Sequence, residues 1–217
     1  MKKIIITLVA MLLLSSIALA KMSVYDESNN KLGYDVEIQL REGWNLIPAV
    51  CNTGKPDIQA ANIRTLFFFN PVTDVYFNFY HEGEFQNEAE IIAAGDEEYY
   101  CSSSWWALVT EPTTFKYKTD HMQKTENRVL KDGWNFIVIT PDFDGKTFNQ
   151  MVGECDFIKI YHFETGPQQW FDLTNDESLD ESFHESAIGS GLLVKVSNSC
   201  TMGSTTEDIA LPPSIPQ

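Results

Sequence analysis

Basic residues are scarce in this sequence. The chain has 15 Lys and Arg against 31 Asp and Glu, which gives a formal net charge of −16. Proteins bind nucleic acid and anionic lipid by neutralising phosphates with Lys and Arg, so this charge balance argues against both as partners.

Several sequence signatures of enzymes and metal sites are also missing. The four His form neither His-x-x-x-His nor His-Glu-x-x-His, so their spacing does not support a zinc site. No Gly-x-Ser-x-Gly elbow surrounds the serine run at 102–104, as a serine hydrolase would require. The Gly-Ser-Gly run at 189–191 leads into a predicted strand rather than a helix, so it does not indicate a phosphate-binding loop. No residue set therefore makes a convincing catalytic site.

Long apolar runs are absent beyond the N-terminus. A basic start at residues 1–3 precedes an apolar run at 4–14, and Ala-Leu-Ala follows at 18–20. This order is typical of a secretory signal peptide, with cleavage predicted after Ala20. The run is shorter than the about 20 residues that span a membrane. The protein is expected to contact the membrane only if this signal stays uncleaved. We therefore expect a secreted or cell-surface protein, outside the cytoplasm.

Cleavage would make the chain still more acidic. It removes Lys2 and Lys3 and no acid, so the exported part carries a formal charge of −18. A charge of this size favours solubility and attracts cations or basic partners.

Cysteine is sparse but informative. The four residues all lie in the exported part: Cys51, Cys101, Cys155 and Cys200. An even number of Cys in an oxidising compartment indicates two disulfides, and four Cys allow three connectivities.

The sequence contains an internal repeat. The octapeptide at 40–47, Leu-Arg-Glu-Gly-Trp-Asn-Leu-Ile, recurs 90 positions later at 130–137 as Leu-Lys-Asp-Gly-Trp-Asn-Phe-Ile. Later landmarks follow at similar offsets. Aromatic hairpins lie at 67–76 and 161–170, and last strands at 105–109 and 192–196. The repeat predicts a tandem duplication of one small module, with insertions confined to loops.

Each copy is predicted to be mostly β. Residues 36–40 alternate apolar and polar, as in a strand with one buried face, and an acid-Gly turn precedes each Trp. Trp44 and Trp134 are predicted to lie in the module cores. Five or so short strands per copy, with helical turns near 56–61 and 147–152, favour small antiparallel sandwich or barrel-like modules.

These features predict a domain organisation along the whole chain. The predicted segments are a signal peptide (1–20), an N-terminal lead (21–35), a first β module (36–118), a linker (119–127), a second β module (128–202) and a flexible Pro-containing tail (203–217).

The repeated motif resembles the Gly-Trp-Asn-Leu type repeat of exported and surface-layer-associated proteins of archaea and some bacteria. In the second copy the resemblance rests on Gly133-Trp134-Asn135-Phe136, Cys155, Trp170, Gly191 and Cys200. It departs at Leu192, where an aromatic residue is usual, and covers roughly residues 36–202. The resemblance implies a β module with a Cys pair across it and assigns no activity.

The repeat also narrows the cysteine pairing. Cys155 precedes the second hairpin and Cys200 ends the last strand, so we predict that this pair closes the second module. Cys51 and Cys101 are then left to close the first.

Acidic loops supply candidate chemistry. The Asp-Phe-Asp-Gly segment at 142–145 is similar to the start of a calcium loop, which makes Asp142 and Asp144 candidate Ca²⁺ ligands. It lacks the closing Glu, and the alternative is an ordinary Asp-Gly turn. No other cofactor is predicted. Adjacent acids on a loop do not imply the facing carboxylates of a glycosidase.

Aromatic residues supply a candidate ligand surface. Adjacent strand residues point to opposite faces, so Trp105 and Trp106 cannot both enter one core unless a bulge intervenes. One of them is expected at the surface near Tyr99 and Tyr100, where exposed rings can stack on a sugar or anchor a protein. The alternative is burial between the two modules.

These observations favour an exported, non-catalytic binding or structural component of the cell envelope or extracellular space, contacting a protein or a glycan. One alternative is an extracellular hydrolase that acts on a polymer through a carboxylate pair between the modules. Another is a subunit of an envelope assembly that pairs through strand edges. The sequence predicts no oligomeric state.

Overall fold

The computed structural model describes residues 20–26, 31–50, 62–85, 103–184 and 187–203, and these are mostly β. The strands are β1 (Ala20–Asp26), β2 (Lys31–Leu40), β3 (Gly43–Pro48), β4 (Ile63–Asn70), β5 (Val75–His81), β6 (Glu84–Phe85), β7 (Ser104–Val109), β8 (Thr113–Gln123), β9 (Val129–Leu130), β10 (Gly133–Val138), β11 (Phe157–Glu164), β12 (Gln169–Asp172), β13 (Gly191–Val196) and β14 (Cys200–Thr201). Helix α1 (Phe148–Met151) has one turn, and 3₁₀ turns lie at Pro141–Phe143 and Glu177–Asp180. The prediction of an all-β protein with little helix is confirmed.

The strands form two antiparallel sheets in each half of the chain. In the first half, a five-stranded sheet has the order β3-β7-β4-β5-β6, and a three-stranded sheet has the order β1-β2-β8. In the second half, a four-stranded sheet has the order β10-β13-β11-β12, and β14 pairs with β9. No helix in the described residues is long and apolar enough to cross a membrane.

The larger sheets of the two halves have the same topology. Strands β3, β7, β4 and β5 correspond in order and pairing to β10, β13, β11 and β12. Even an irregularity is repeated, because the ladder shifts register between Ile63 and Thr65 and again between Phe157 and Lys159. The pairing of Phe67 with Trp106 corresponds to that of Tyr161 with Leu193. The two halves therefore correspond residue by residue across these sheets.

The repeated Gly-Trp-Asn motif forms a turn held by its asparagine. The Asn45 side chain donates to the carbonyls of Arg41 (2.8 Å) and Gly43 (3.0 Å), and its Oδ1 accepts from the Arg41 N–H (3.0 Å). Asn135 makes the same three bonds in its own turn, at 2.7, 3.2 and 3.0 Å. Gly43 and Gly133 have φ of 95° and 91°, a conformation that favours glycine.

The first half is a sandwich of its two sheets. Alternate residues at 36–40 of β2 and 115–117 of β8 face the five-stranded sheet, and the two layers share one buried core that includes Ile38, Ile47 and Trp105. The buried Tyr117 hydroxyl on β8 donates to the Pro48 carbonyl on β3 (2.6 Å), which ties the sheets together. Burial raises the pKa of Tyr117 well above its ordinary value.

The second half covers its sheet with short helical turns and the β9–β14 pair. Phe143, Phe148 and Met151 are fully buried in this core. Cys155 and Cys200 form a disulfide with their Cα atoms 5.1 Å apart, as predicted. The helical turn predicted at 147–152 is present as α1, which Thr147 caps. Cys51, Cys101 and the connector at 56–61 lie outside the described residues.

Two predicted segment boundaries differ from the structure. Residues 21–35, predicted as a lead, lie largely in β1 and β2, and residues 119–123 of the predicted linker continue β8. Backbone pairing along the β1-β2-β8 ladder extends through both of these segments. The linker is thereby shortened to the residues between β8 and β9. Residues 1–19 and 204–217 lie outside the described residues.

Candidate ligand cavity between the two halves

The two larger sheets pack against each other through their outer faces. Strand β10 lies against β7 and β4, while β13 lies against β3 and β7. Leu46, Phe69 and Phe136 are buried at this contact. Gly191 permits the close approach, because a Cβ there would lie 2.5 Å from the Leu46 side chain. The Ser104 hydroxyl donates across the contact to the Ile137 carbonyl (3.1 Å).

Trp106 is the centre of an aromatic cluster at this contact. Its ring centroid lies 4.8 Å from that of Phe163, 5.4 Å from that of Trp170 and 6.0 Å from that of Trp44. The three interplanar angles are between 78° and 84°, so each contact is edge to face, as aromatic quadrupoles favour. The neighbouring Trp105 points the other way and is fully buried in the core of the first half.

A cavity of about 380 Å³ opens beside Trp106. Its described lining consists of five aromatic residues and one amide: Trp44, Phe67, Tyr76, Trp106, Phe163 and Gln168. The volume lies at the lower end of the roughly 300–1,000 Å³ that is usual for small-molecule sites. Both halves of the chain contribute walls, so the cavity exists because of the contact between them.

Gln168 closes one side of the cavity by bridging the halves. This residue lies in the β11–β12 turn, where its Oε1 accepts from the Trp44 N–H (2.7 Å). Its Nε2 donates to the carbonyls of Trp44 (2.9 Å) and Thr165 (2.7 Å). Both amide protons are therefore engaged within the protein, and the cavity wall is left largely apolar.

Tyr76 forms an exposed rim of the cavity. Its side chain is 49% exposed and receives a hydrogen bond from the Trp106 indole. Partial burial raises the pKa of Tyr76, the Trp106 hydrogen bond opposes that shift, and the negative charge of Asp74 adds to it. A carboxylate therefore lies close to the mouth of the cavity.

The corresponding rings of the second half lie close to two lysines. Trp134 and Tyr161 have ring centroids 6.0 Å apart, as Trp44 and Phe67 do at 5.9 Å. The Lys195 Nζ lies 5.5 Å from the Trp134 ring, and the Lys159 Nζ lies 5.9 Å from the Tyr161 ring.

Lys159 is also paired with an acid, since its Nζ donates to Asp172 at 2.8 Å. This bond raises the pKa of Lys159 and holds the pKa of Asp172 well below its ordinary value.

The structure distinguishes between the aromatic residues that the sequence predicted as ligand contacts. Trp106 lines the cavity, whereas Trp105 is 0% exposed and does not reach a surface ligand. Tyr99 and Tyr100 lie outside the described residues. Trp44 and Trp134, predicted in the module cores, lie on the outer faces of their sheets because alternation turns Asn45 inward.

The acidic candidates have structural contacts. The Asp142 carboxylate accepts hydrogen bonds from the Glu126 N–H (3.0 Å) and the Thr140 hydroxyl, which fixes the segment before β9. Asp144 is exposed beside a turn in which the Lys146 N–H donates to the Phe143 carbonyl (2.9 Å). In the described part of the chain, no group of three or more His, Cys, Asp or Glu side chains is placed to hold a metal ion.

His162 has a structural setting away from the cavity. It lies on β11, and neighbouring Tyr161 and Phe163 face the contact between the halves. Burial lowers the pKa of His162, and a backbone hydrogen bond with Gly191 partly opposes that shift.

Fold and cavity together define the class of this molecule: an all-β protein of two topologically equivalent halves with an aromatic cavity between them. Comparisons with protein-family models, curated proteins and solved structures found no match to this chain. The function is therefore argued from the cavity.

Proposed function

We propose that this protein is an exported, non-catalytic binding component of the cell envelope or extracellular space, and that it holds its ligand in the aromatic cavity. The observation that carries the proposal is the cavity lining, in which both halves present aromatic side chains to a space of about 380 Å³. Aromatic walls supply contact area with little conformational entropy to lose, which suits recognition of a glycan or of a protein side chain.

The chemistry of the lining supports binding rather than catalysis. Apart from the phenol of Tyr76, its described residues include no side chain of the kinds that usually act as an acid, base or nucleophile. The alternative hydrolase requires two facing carboxylates between the modules, and the described cavity lining does not provide them.

The surroundings of the cavity support contact with a partner larger than the cavity itself. Val72, Val75 and Tyr76 are all about half exposed on the β4–β5 hairpin, and Trp170 is 37% exposed beside Trp106. Exposed apolar residues that are grouped beside a cavity are typical of a binding surface. Export is supported by the predicted signal peptide and agrees with the Cys155–Cys200 disulfide.

A binding screen of the purified, oxidised protein against glycans and envelope proteins tests this proposal, with tryptophan fluorescence as the readout. Tyr76→Ala removes a rim of the cavity and is expected to weaken binding about tenfold. The matched control is Thr73→Ala, which changes an exposed polar residue of the same hairpin outside the lining and should bind like the wild type. Equal affinity of the Tyr76→Ala variant and the wild type would contradict the cavity as the site.

A further inference from the structure

We propose that the cavity binds a small organic cation that carries an alkylated ammonium group. This inference rests on the proposed function and adds the chemical class of the ligand. It depends on a comparison between the two halves of the chain, together with the charge and geometry of the cavity.

The aromatic rings at the equivalent positions of the second half provide a comparison for the cavity. Trp134 stands at the position of Trp44, and Tyr161 stands at that of Phe67. In the second half, both rings have a lysine ammonium within 6 Å of the centroid, the distance range of a cation–π contact. The same ring arrangement therefore already lies beside two cations within this molecule, one of which, Lys159, is also paired with Asp172.

The described residues at the two corresponding positions of the first half are uncharged. Trp44 pairs across the ladder with Leu108, as Trp134 pairs with Lys195. Thr65 likewise stands at the position of Lys159. Two uncharged residues replace two ammonium groups, and here the cavity is open beside the rings.

The cavity geometry suits a compact cation. Trp106 meets Trp44 and Phe163 at 78° and 84°, so the walls present ring faces from more than one direction. The described lining contains no basic side chain, Asp74 lies near the rim at Tyr76, and the whole chain carries −16. These features repel anions and attract cations.

The apolar lining selects an alkylated ammonium over a primary one. A primary ammonium would lose its hydrogen bonds to water on entering, and the described lining side chains offer only the Tyr76 hydroxyl and the Gln168 Oε1 as acceptors for its three N–H groups. The Gln168 amide is already bonded to Trp44 and Thr165. A quaternary ammonium has no N–H to satisfy, and its methyl groups pack on ring faces.

Choline and its neutral isostere 3,3-dimethylbutan-1-ol provide the first test, by calorimetric titration of the purified, oxidised full-length protein. The two molecules have nearly the same shape and differ in charge. We expect choline to bind roughly tenfold more tightly than the isostere. Equal affinities, or saturable binding of neither compound, would overturn the inference.

A substitution that copies the second half provides the second test. Leu108→Lys places an ammonium at the position of Lys195 and leaves every cavity ring in place. We expect choline affinity to fall at least tenfold in this variant and to be retained in the control Leu108→Met. Choline binding that is unchanged by Leu108→Lys would place the cation elsewhere and overturn the inference.

The two proposals fail separately. Neutral sugars that bind the wild type and lose affinity in Tyr76→Ala, with no choline binding, would overturn the cation inference and support the cavity as the binding site. Choline binding that is unaffected by both Tyr76→Ala and Leu108→Lys would overturn both proposals.

Discussion

At the scale of single residues, the asparagine explains why the Gly-Trp-Asn motif is repeated. Asn45 and Asn135 are 1% and 2% exposed, and each closes its turn through three hydrogen bonds to the backbone. An apolar residue at this position would leave these backbone groups of the turn without those partners. The motif thus begins an edge strand and fixes the turn that leads into it.

Asn45→Ala and Asn135→Ala should therefore have matching effects. We expect each to lower the free energy of unfolding by about 2–3 kcal/mol, because three bonds of about 1 kcal/mol net are lost at a buried site. Urea denaturation followed by tryptophan fluorescence measures the change. The exposed Asn198→Ala serves as the control, and losses below about 0.5 kcal/mol in both variants would disprove the role of the turn.

Residue patterns predicted part of the candidate site. Strand alternation predicted that Trp105 and Trp106 diverge, and they do. It could not assign which ring meets a core, because both faces of this sheet are covered by apolar partners. Because both faces are covered, the position of Trp44 after a turn indicated that the ring is buried. It did not show that the ring faces the second half of the chain.

At the scale of elements, the β11–β12 hairpin reaches across to the first half. Its turn residue Gln168 bonds the backbone of Trp44, 124 positions away in the sequence. A polar residue in a turn is usually solvated, so nothing local in the sequence predicted this contact. The packing of the two larger sheets determines the contact of Gln168 with Trp44, and the local sequence of the hairpin does not.

Gly43 and Gly133 occupy equivalent positions, and only Gly43 lies beside Gln168. Comparing Ala substitutions at the two glycines therefore measures the effect of the Gln168 contact. Their φ values nearly agree, so Ala should cost each site about the same backbone strain of 1–2 kcal/mol. A Cβ at Gly43 would also lie 2.7 Å from the Gln168 Oε1, whereas nothing lies within 4 Å of a Cβ at Gly133. We expect Gly43→Ala to be more destabilising than Gly133→Ala by about 1 kcal/mol, the worth of the displaced hydrogen bonds.

The measurement is a double-mutant cycle by urea denaturation. In the Gln168→Ala background, the difference between the two glycine variants should vanish. A difference that persists without the Gln168 side chain would show that the extra cost at Gly43 has another origin.

At the scale of the whole molecule, stability depends on a covalent link in the second half. The Cys155–Cys200 disulfide closes a loop with a sequence separation of 45. Chain entropy predicts that the double variant Cys155→Ala/Cys200→Ala loses about 4 kcal/mol of unfolding free energy. Guanidinium denaturation under oxidising conditions measures this, with reduced wild type as the comparison, and a loss below about 1 kcal/mol would contradict the expectation.

The internal repeat was the strongest guide to the architecture. It placed the Gly-Trp strands, the hairpins and the last strands of both halves, since each recurs with its own alternation. It did not place β1 or the extension of β8, because the repeat covers the larger sheets, whereas β1 and β8 belong to the three-stranded sheet of the first half. It also gave no contact between the halves, which depends on residues of both outer faces.

The two halves meet through equivalent strands of the same chain. This arrangement affects how the sequences of the two halves can diverge. In a symmetric dimer of identical chains, one mutation alters both copies of a position at once. Covalent joining of the two copies removes that constraint, so one chain carries leucine at 108 and lysine at 195. One pair of rings, Trp134 and Tyr161, then lies beside lysine ammonium groups, while the pair at the corresponding positions, Trp44 and Phe67, lines a cavity, so equivalent positions of one chain differ in their chemistry.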